Sequence, residues 1–148
     1  MEKANIGRLL GCCGRLSKLH VDTELRHRGY DVTPVQCHAL VYLSRHQGEE
    51  ITQRDLERAL KLKPSTINGL VERLLEKNYI SRCSSPSDGR CRLLQMTEEG
   101  EKMMESFRTS LERTDETILS ALSEEEQTTL EELLRRIINS LESEVTKT

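Results

Sequence analysis

An arginine follows a tight turn near the middle of the chain. In the stretch SPSDGRCRLLQ, residues 85–95, an Asp-Gly pair forms the turn, Arg90 comes directly after it, and Arg92 lies in the strand that follows. A guanidinium at the tip of a narrow ribbon can enter the minor groove of duplex DNA, where the potential is strongly negative. We expect Asp88 to hold this guanidinium by a bidentate pair. An ordinary solvated surface arginine is the alternative interpretation.

A short helix with small polar residues on one side precedes this ribbon. Pro64 suits the first turn of a helix, and apolar residues recur at i, i+3, i+4 and i+7 from Ile67 to Leu74. An exposed face of short side chains can approach base edges and phosphates in the major groove. Ser65 and Thr66 could instead act only as helix caps. The residues predicted to face outward are Ser65, Thr66, Asn68, Gly69, Glu72 and Arg73.

The charge distribution favours a polyanionic partner at the same place. The whole chain has a net charge of -3, but residues 53–95 hold nine Lys and Arg against five Asp and Glu. Residues 96–148 hold six basic and fourteen acidic residues. A basic segment beside an acidic one permits binding to nucleic acid without indiscriminate adhesion. Phosphate contacts, which set the register on the duplex, are predicted for Arg54, Lys61, Lys63, Arg73, Arg82 and Arg92.

Helix caps and periodic apolar residues predict six helices around the ribbon. Hydroxyl side chains mark four of the helix starts, at Thr33, Thr52, Thr97 and Ser123. Gly29 and Asn78, which tolerate the left-handed conformation, are expected to end the first and fourth helices. The first helix is predicted at residues 4–29, the second from Pro34 to about Gly48, and the fourth at 64–77. The strands are predicted at Tyr79 to Arg82 and Cys91 to Met96.

The first, fifth and sixth helices carry more apolar surface than one small domain can bury. In the sixth helix the apolar stripe consists of Leu130, Leu133, Leu134, Ile137, Ile138 and Leu141. Plain core is one interpretation of this stripe; a two-fold dimer is the one that we favour. The predicted fold class is therefore mainly α (α+β), a single winged helix-turn-helix domain over residues 1–148. It comprises a DNA-binding lobe at about 33–97 and dimerisation helices at 4–29 and 98–145.

Several functional classes are not indicated. The chain has no run of eighteen apolar residues, and its first residues are too polar for a secretory signal, so we expect a cytoplasmic protein without a membrane partner. Neither a nucleophile with its base nor a phosphate-binding glycine loop can be recognised. We therefore expect no enzymatic activity and no cofactor.

The five cysteines show no C-x-x-C spacing, so reduced thiols are expected rather than a disulfide scaffold or a zinc site. One of Cys12 and Cys13 is expected to face inward as a buried thiol, with a redox sensor as the alternative. Cys83 and Cys91 flank the ribbon turn and could be cross-strand neighbours.

Potential metal ligands cluster near the end of the first helix. His20, Glu24 and His27 share one helical face, and Cys37 and His38 follow soon after. These are metal-competent donors. Such a loose set is more typical of a polar helix face, so a metal site is kept only as the alternative.

The order of elements resembles the MarR family of bacterial transcriptional regulators over nearly all of the chain. The segment KPSTINGLVERLLEKNYI is similar to the family's recognition helix, and SDGRCRLLQMTEEG is similar to its wing, which ends in Leu-x-x-Thr-x-x-Gly. The resemblance implies that Arg90 is the wing-tip arginine and Asp88 its partner. Asn78 stands where glycine is usual, and Gly69 stands where many members carry a base-reading side chain. The resemblance implies DNA contacts at Ser65, Thr66, Asn68 and Arg73.

We therefore expect a homodimeric DNA-binding transcriptional regulator, a repressor of a pseudo-palindromic double-stranded operator that is relieved by a small ligand. By resemblance, the ligand is a small aromatic or lipophilic molecule in a crevice lined by helices one, two and five. A metal- or thiol-redox-responsive sensor on the same scaffold is the alternative, and a pure protein-interaction module is more remote. The predicted DNA-binding residues are Arg54, Lys63, Pro64, Ser65, Thr66, Asn68, Gly69, Arg73, Asp88, Arg90 and Arg92.

Overall fold

Six helices and one two-stranded ribbon make up the computed structural model, which describes residues 5–147. In chain order the elements are α1 Ile6–His27, α2 Pro34–Arg45, α3 Gln53–Leu60, α4 Pro64–Glu76, β1 Ile80–Ser84, β2 Arg92–Met96, α5 Glu98–Leu119 and α6 Glu124–Val145. The chain divides into two units, one up to Ser110 and one from Leu111 onward. This mainly helical fold with a small ribbon confirms the predicted fold class. Between residues 5 and 147, no helix is long and apolar enough to span a bilayer.

The helix ends follow the local chemistry of their caps. Thr33 and Thr52 each accept a hydrogen bond from the backbone of the third helical residue, whose own side chain accepts one from the cap in return. Gly29 has φ +86° and ends α1, while Asn78 has φ +59° and follows α4. The predicted starts at Thr33, Thr52 and Ser123 are confirmed. The first helix begins at Ile6 with Asn5 as its cap, later than the predicted start at residue 4, which lies outside the described residues. The first helix was predicted to end at Gly29, two residues too late, and the second at about Gly48, three residues too late. Gly48 has φ +86° and lies in the loop after α2.

Helices α2, α3 and α4 pack with the ribbon around one apolar core. Burial of a large apolar side chain stabilises the fold by about 1.5–3 kcal/mol, so the buried side of α4 is held against the core. The polar face of α4 consequently points to solvent. Residues of this core with at most 1% exposure include Leu40, Leu56, Ile67, Val71, Leu74 and Ile80.

The start of α5 is joined closely to the junction between α4 and β1. The backbone N–H of Thr97 donates to the carbonyl of Tyr79 at 3.0 Å, and the Thr97 hydroxyl accepts from the N–H of Gly100 at 3.0 Å. A Cβ atom at Gly100 would overlap the carbonyl oxygen of Tyr79 and would lie 2.8 Å from Cγ of Met96. Only glycine therefore permits this close approach.

The unit from Leu111 onward contains the end of α5 and all of α6. The side-chain amide of Gln127 donates to the carbonyls of Leu119 and Leu122, at 3.1 and 3.2 Å, across the turn. Ser123 caps α6 as predicted. No described residue of α6 is buried, and several of its large apolar side chains are exposed to solvent. The most exposed of them are Leu133, Ile138, Leu141 and Val145.

Candidate nucleic-acid interface

Helix α4 presents its small polar face as predicted. The four apolar residues from Ile67 to Leu74 are buried, and the residues between them are exposed. Lys63 occupies the N-cap position without a side-chain hydrogen bond, so Ser65 and Thr66 do not cap this helix. The alternative that these hydroxyls serve only as caps is therefore wrong. An exposed helix N-terminus without a capping side chain leaves backbone N–H groups available to an anion.

The ribbon has a defined register and a compact turn. Ser84 pairs with Arg92, and the N–H of Ser85 donates to the carbonyl of Cys91 at 2.9 Å. The N–H of Cys91 in turn donates to the carbonyl of Asp88 at 2.9 Å. The strand β1 extends to Ser84, two residues further than the sequence pattern predicted. This longer pairing places the turn at residues 85–91.

Asp88 has a different partner from the one expected. Its Oδ1 accepts from the backbone N–H of Arg90 at 3.0 Å, which is an Asx-type turn and not a pair with the guanidinium. The side chain of Arg90 is exposed at the tip of the ribbon. The carboxylate therefore shapes the backbone that carries Arg90.

An ion pair joins α4 to the ribbon. A guanidinium nitrogen of Arg82 lies 2.7 Å from Oε1 of Glu72, and both side chains are partly exposed. Sequence reasoning placed Glu72 on the exposed face and Arg82 among the phosphate contacts, but spacing alone does not reveal the pair. Since exposed pairs contribute only about 0–1 kcal/mol, this pair adds little to the stability of the fold.

The predicted DNA-binding residues all lie in the unit up to Ser110, on α3, α4, the ribbon and the residue before α4. Every one of them is exposed. Arg54 is exposed on α3, while the nearby Arg58 lies 3.9 Å from Asp55. Lys61 holds a left-handed conformation with φ +52°, which turns the chain between α3 and α4. The connection between α3 and α4 is therefore short, and it carries the basic residues Lys61 and Lys63 just before α4.

Two expectations about the cysteines are wrong. Cys12 and Cys13 are both exposed, because the face of α1 that carries them is not covered within the described residues. Cys83 pairs with Leu93 in the ribbon, so it does not lie opposite Cys91. Burial raises the pKa of Cys37 to about 11, and the neighbouring carboxylate of Asp22 adds to this rise.

Within residues 5–147, no group of three or more His, Cys, Asp or Glu side chains is arranged to hold a metal ion. His20, Glu24 and His27 lie on α1, and the metal alternative receives no support from their positions.

A cavity of about 350 Å³ lies behind the ribbon. Its walls come from the end of α2, the segment at residues 46–51, strand β2 and the first turn of α5, and include Glu50. No lining residue belongs to α1. The ligand crevice that the family resemblance implies, lined by helices one, two and five, stays a prediction.

A family model and individual relatives identify this arrangement. A model of the MarR family matches residues 30–90. The HTH-type transcriptional regulator YdgJ of Bacillus subtilis is 28% identical over 96 residues, which span 65% of this chain but only 58% of YdgJ. The HTH-type transcriptional repressor MdtR of Bacillus subtilis is 26% identical over 113 residues, 76% of this chain and 72% of MdtR. The crystal structure of MepR, a transcription regulator of the multidrug efflux pump MepA of Staphylococcus aureus, superimposes with a TM-score of 0.80 at 30% identity, covering 91% of this chain and 97% of MepR. The chain belongs to the MarR family of transcriptional regulators.

Two further MepR structures show what this relative binds. A MepR variant bound to an oligodeoxyribonucleotide has a TM-score of 0.74 and 29% identity, covering 94% of this MarR chain and 99% of MepR. MepR bound to ethidium bromide has a TM-score of 0.70 and 30% identity, with coverage of 91% and 95%. Membership of the MarR family confirms the family assignment made from the recognition-helix and wing segments.

Sequence reasoning missed three residues that shape this site. Glu50 contacts the ribbon turn from a loop 35 residues earlier in the chain, Glu72 pairs with Arg82, and Gly100 permits the close approach of α5. Of the three, only Gly100 left a signal, since it ends the wing segment of the MarR family. The contacts of both glutamates are tertiary and have no local pattern.

Proposed function

We propose that the chain is a homodimeric repressor that binds a pseudo-palindromic DNA operator and is released by a small ligand. The observation that carries this proposal is the joint exposure of the polar face of α4 and the arginine-bearing ribbon within one unit. In each subunit, α4 would enter a major groove while Arg90 enters the flanking minor groove. The oligodeoxyribonucleotide bound to MepR supports a DNA partner. Such a regulator acts in the cytoplasm, where the DNA lies.

Affinity for the phosphate backbone would come from two features of this surface. The first is the N-terminus of α4, where the helix dipole and backbone N–H groups favour an anion near Ser65 and Thr66. The second is the set of exposed basic side chains, which release counterions when they meet phosphates. Ser65, Thr66 and Asn68 have short polar side chains, so the backbone of α4 can approach the base edges closely. The basic set comprises Arg54, Lys63, Arg73, Arg90 and Arg92.

Dimerisation would cover the apolar surface that each chain leaves open. Exposed apolar side chains recur along α1, and α6 has no buried residue at all. Leaving such stripes in water is unfavourable by about 25 cal/mol for each Å² of apolar area. A two-fold partner covers the same patch on both subunits and closes the assembly. On this proposal residues 4–29 and 98–145 are dimerisation helices of a single domain with a DNA-binding lobe at about 33–97.

Repression and ligand release are supported by the relatives. MdtR is named as a repressor, and MepR has been solved with ethidium bromide, an aromatic molecule. A ligand can lower DNA affinity only if it binds better to the arrangement of the dimer that cannot engage two half-sites. The ligand class that we propose is small and aromatic or lipophilic.

Selection from a randomised duplex library tests DNA recognition directly. We expect enrichment of a pseudo-palindrome whose half-sites are about one helical turn apart. Binding of the enriched duplex is then measured by fluorescence anisotropy for the parent, for Arg90→Ala and for Arg28→Ala. The control removes the same charge from the exposed Arg28, which directly follows α1 and is not among the predicted DNA-binding residues. Sedimentation equilibrium must show both variants to be in the same oligomeric state as the parent.

Loss of a minor-groove arginine should weaken binding by about tenfold or more, whereas Arg28→Ala should change it little. Failure to enrich any sequence over random duplex would overturn the proposed function. Equal affinities of the two arginine variants would remove Arg90 from the interface.

A further inference from the structure

The turn of the ribbon is fastened from behind by a glutamate on another loop. Glu50 lies between α2 and α3, and its Oε1 accepts from the Ser85 hydroxyl at 2.8 Å. The Ser87 hydroxyl lies 3.0 Å from Oε1 and 2.9 Å from Oε2 of the same carboxylate. One side chain therefore binds two residues of the turn at once.

These contacts continue to the tip of the ribbon. The hydroxyl oxygen of Ser85, which is only 5% exposed, accepts the backbone N–H groups of Ser87 at 3.2 Å and of Asp88 at 3.1 Å. The Asp88 carboxylate then accepts from the N–H of Arg90 at 3.0 Å. An unbroken series of hydrogen bonds thus runs from Glu50 to the backbone of Arg90.

The backbone next to Glu50 is tied to strand β2. The residue after Glu50, Ile51, is buried, and its carbonyl accepts from the N–H of Leu94 in β2 at 2.7 Å. The hydrogen bonds from Ser85 and Ser87 lower the pKa of Glu50, so its carboxylate stays ionised at neutral pH. Charged acceptors form the stronger class of hydrogen bond.

The charge of Glu50 by itself should work against the ribbon's role. A carboxylate beside a surface that meets phosphates repels them and lowers affinity. If Glu50 nevertheless supports DNA binding, its support must come through the geometry of the turn. A loss of DNA affinity on removal of Glu50 therefore indicates a geometric role, whereas a gain of affinity indicates a purely electrostatic one.

We propose that Glu50 is a positioning residue for DNA binding, which fixes the turn through Ser85 and Ser87 so that Arg90 is presented at the tip of the ribbon. This inference rests on the proposed function, since it takes the ribbon to be a DNA contact. In the absence of Glu50, the turn samples other conformations, and ordering it on DNA reduces the affinity.

The first test needs no DNA. Backbone amide hydrogen exchange at Ser87 and Asp88 is compared in the parent, in Glu50→Ala and in Glu49→Ala. Glu49 is the matched control, because it is an exposed neighbour whose carboxylate contacts no described residue of the turn. We expect exchange at both amides to rise by about tenfold in Glu50→Ala and to stay at the parental rate in Glu49→Ala. Unchanged exchange in Glu50→Ala overturns the inference.

The second test measures binding of the selected duplex. Glu49→Ala and Glu50→Ala remove the same charge, so the first reports the electrostatic effect alone. We expect Glu50→Ala to bind about fivefold more weakly than Glu49→Ala, a loss typical of one net hydrogen bond. Ser87→Ala, which changes no charge, should weaken binding in the same direction. Equal binding by Glu50→Ala and Glu49→Ala would refute the role in DNA binding.

A double-mutant cycle connects Glu50 to Arg90. In the Arg90→Ala background, Glu50→Ala and Glu49→Ala should change binding equally, because the side chain that Glu50 positions is gone and only the charge effect remains. The same loss in both backgrounds would show that Glu50 acts by another route and would overturn the inference. If selection enriches no duplex, the proposed function fails, while the exchange experiment still decides whether Glu50 holds the turn.

Discussion

Replacing Gly100 by alanine should destabilise the fold, although alanine is the better helix former. The new Cβ would overlap the carbonyl oxygen of Tyr79 and would lie 2.8 Å from Cγ of Met96. The methionine side chain can move away, but the Tyr79 carbonyl is backbone and accepts the N–H of Thr97 at 3.0 Å. The first turn of α5 must therefore separate from the junction between α4 and β1.

The expected magnitude follows from two opposing effects. Alanine in place of glycine inside a helix stabilises it by about 0.5–1 kcal/mol. Overlap with a fixed neighbour costs about 1–3 kcal/mol, and loss of the Thr97 hydrogen bond to Tyr79 adds about 1 kcal/mol. We therefore expect Gly100→Ala to lower the free energy of unfolding by about 2 kcal/mol, because the overlap outweighs the helix propensity.

Urea unfolding, followed by far-ultraviolet circular dichroism at one fixed protomer concentration, measures this difference. Gly69→Ala is the control, since a Cβ there meets no atom within 4 Å on the exposed face of α4. This variant should gain about 0.5–1 kcal/mol. The reasoning is wrong if Gly100→Ala is as stable as the parent, or if both alanine variants shift stability in the same direction.

Four further predictions address the interface, the dimer and the thiols. Arg54→Ala should reduce the slope of log K against log salt concentration by about one, because one phosphate contact is lost; an unchanged slope would remove this residue from the interface. Ile138→Glu should yield monomers in sedimentation equilibrium, because a carboxylate would be buried in the proposed dimer contact; a persistent dimer would place that contact elsewhere. In the Ile138→Glu monomer at pH 7.5, where no partner covers α1, a thiol reagent should modify the exposed Cys12 and Cys13 while sparing Cys37, whose pKa is about 11. Because an unfolded Cys37 ionises near 9.0, this group should also make stability fall as pH rises from about 9 to 11. The raised pKa of Tyr79 contributes to the fall in both proteins, so the stability of Cys37→Ala should fall less steeply than that of the parent; equal slopes would contradict the prediction.

The ribbon shows where sequence patterns stop being informative. The Asp-Gly pair correctly predicted two strands joined by a turn, but β1 runs two residues further than predicted. The register, which depends on how far β1 continues, paired Cys83 with Leu93 instead of bringing it opposite Cys91. A shift of two residues in the pairing keeps every side chain on its face of the ribbon but changes every cross-strand neighbour. Cross-strand contacts were therefore the least predictable part of the site.

A second group of differences between prediction and structure concerns helices whose apolar faces no described residue covers. The stripe on α1 predicted that one of Cys12 and Cys13 would be buried, yet both are exposed because the described residues do not cover that face. The same stripe argument on α6 identified an apolar face correctly without saying what covers it. Periodicity shows which side of a helix is apolar, whereas burial also requires a neighbouring surface.

The caps at Thr33, Thr52 and Ser123 and the outward polar face of α4 were determined by sequence alone. These features arise from atoms within a few residues of each other, so the local pattern contains all the information that they need. The tertiary structure decided the contacts of Glu50 with the ribbon turn, the pair between Glu72 and Arg82, and the tight approach at Gly100. Each of these depends on two segments that meet only when the core around α4 has formed, and no spacing along the chain specifies that meeting.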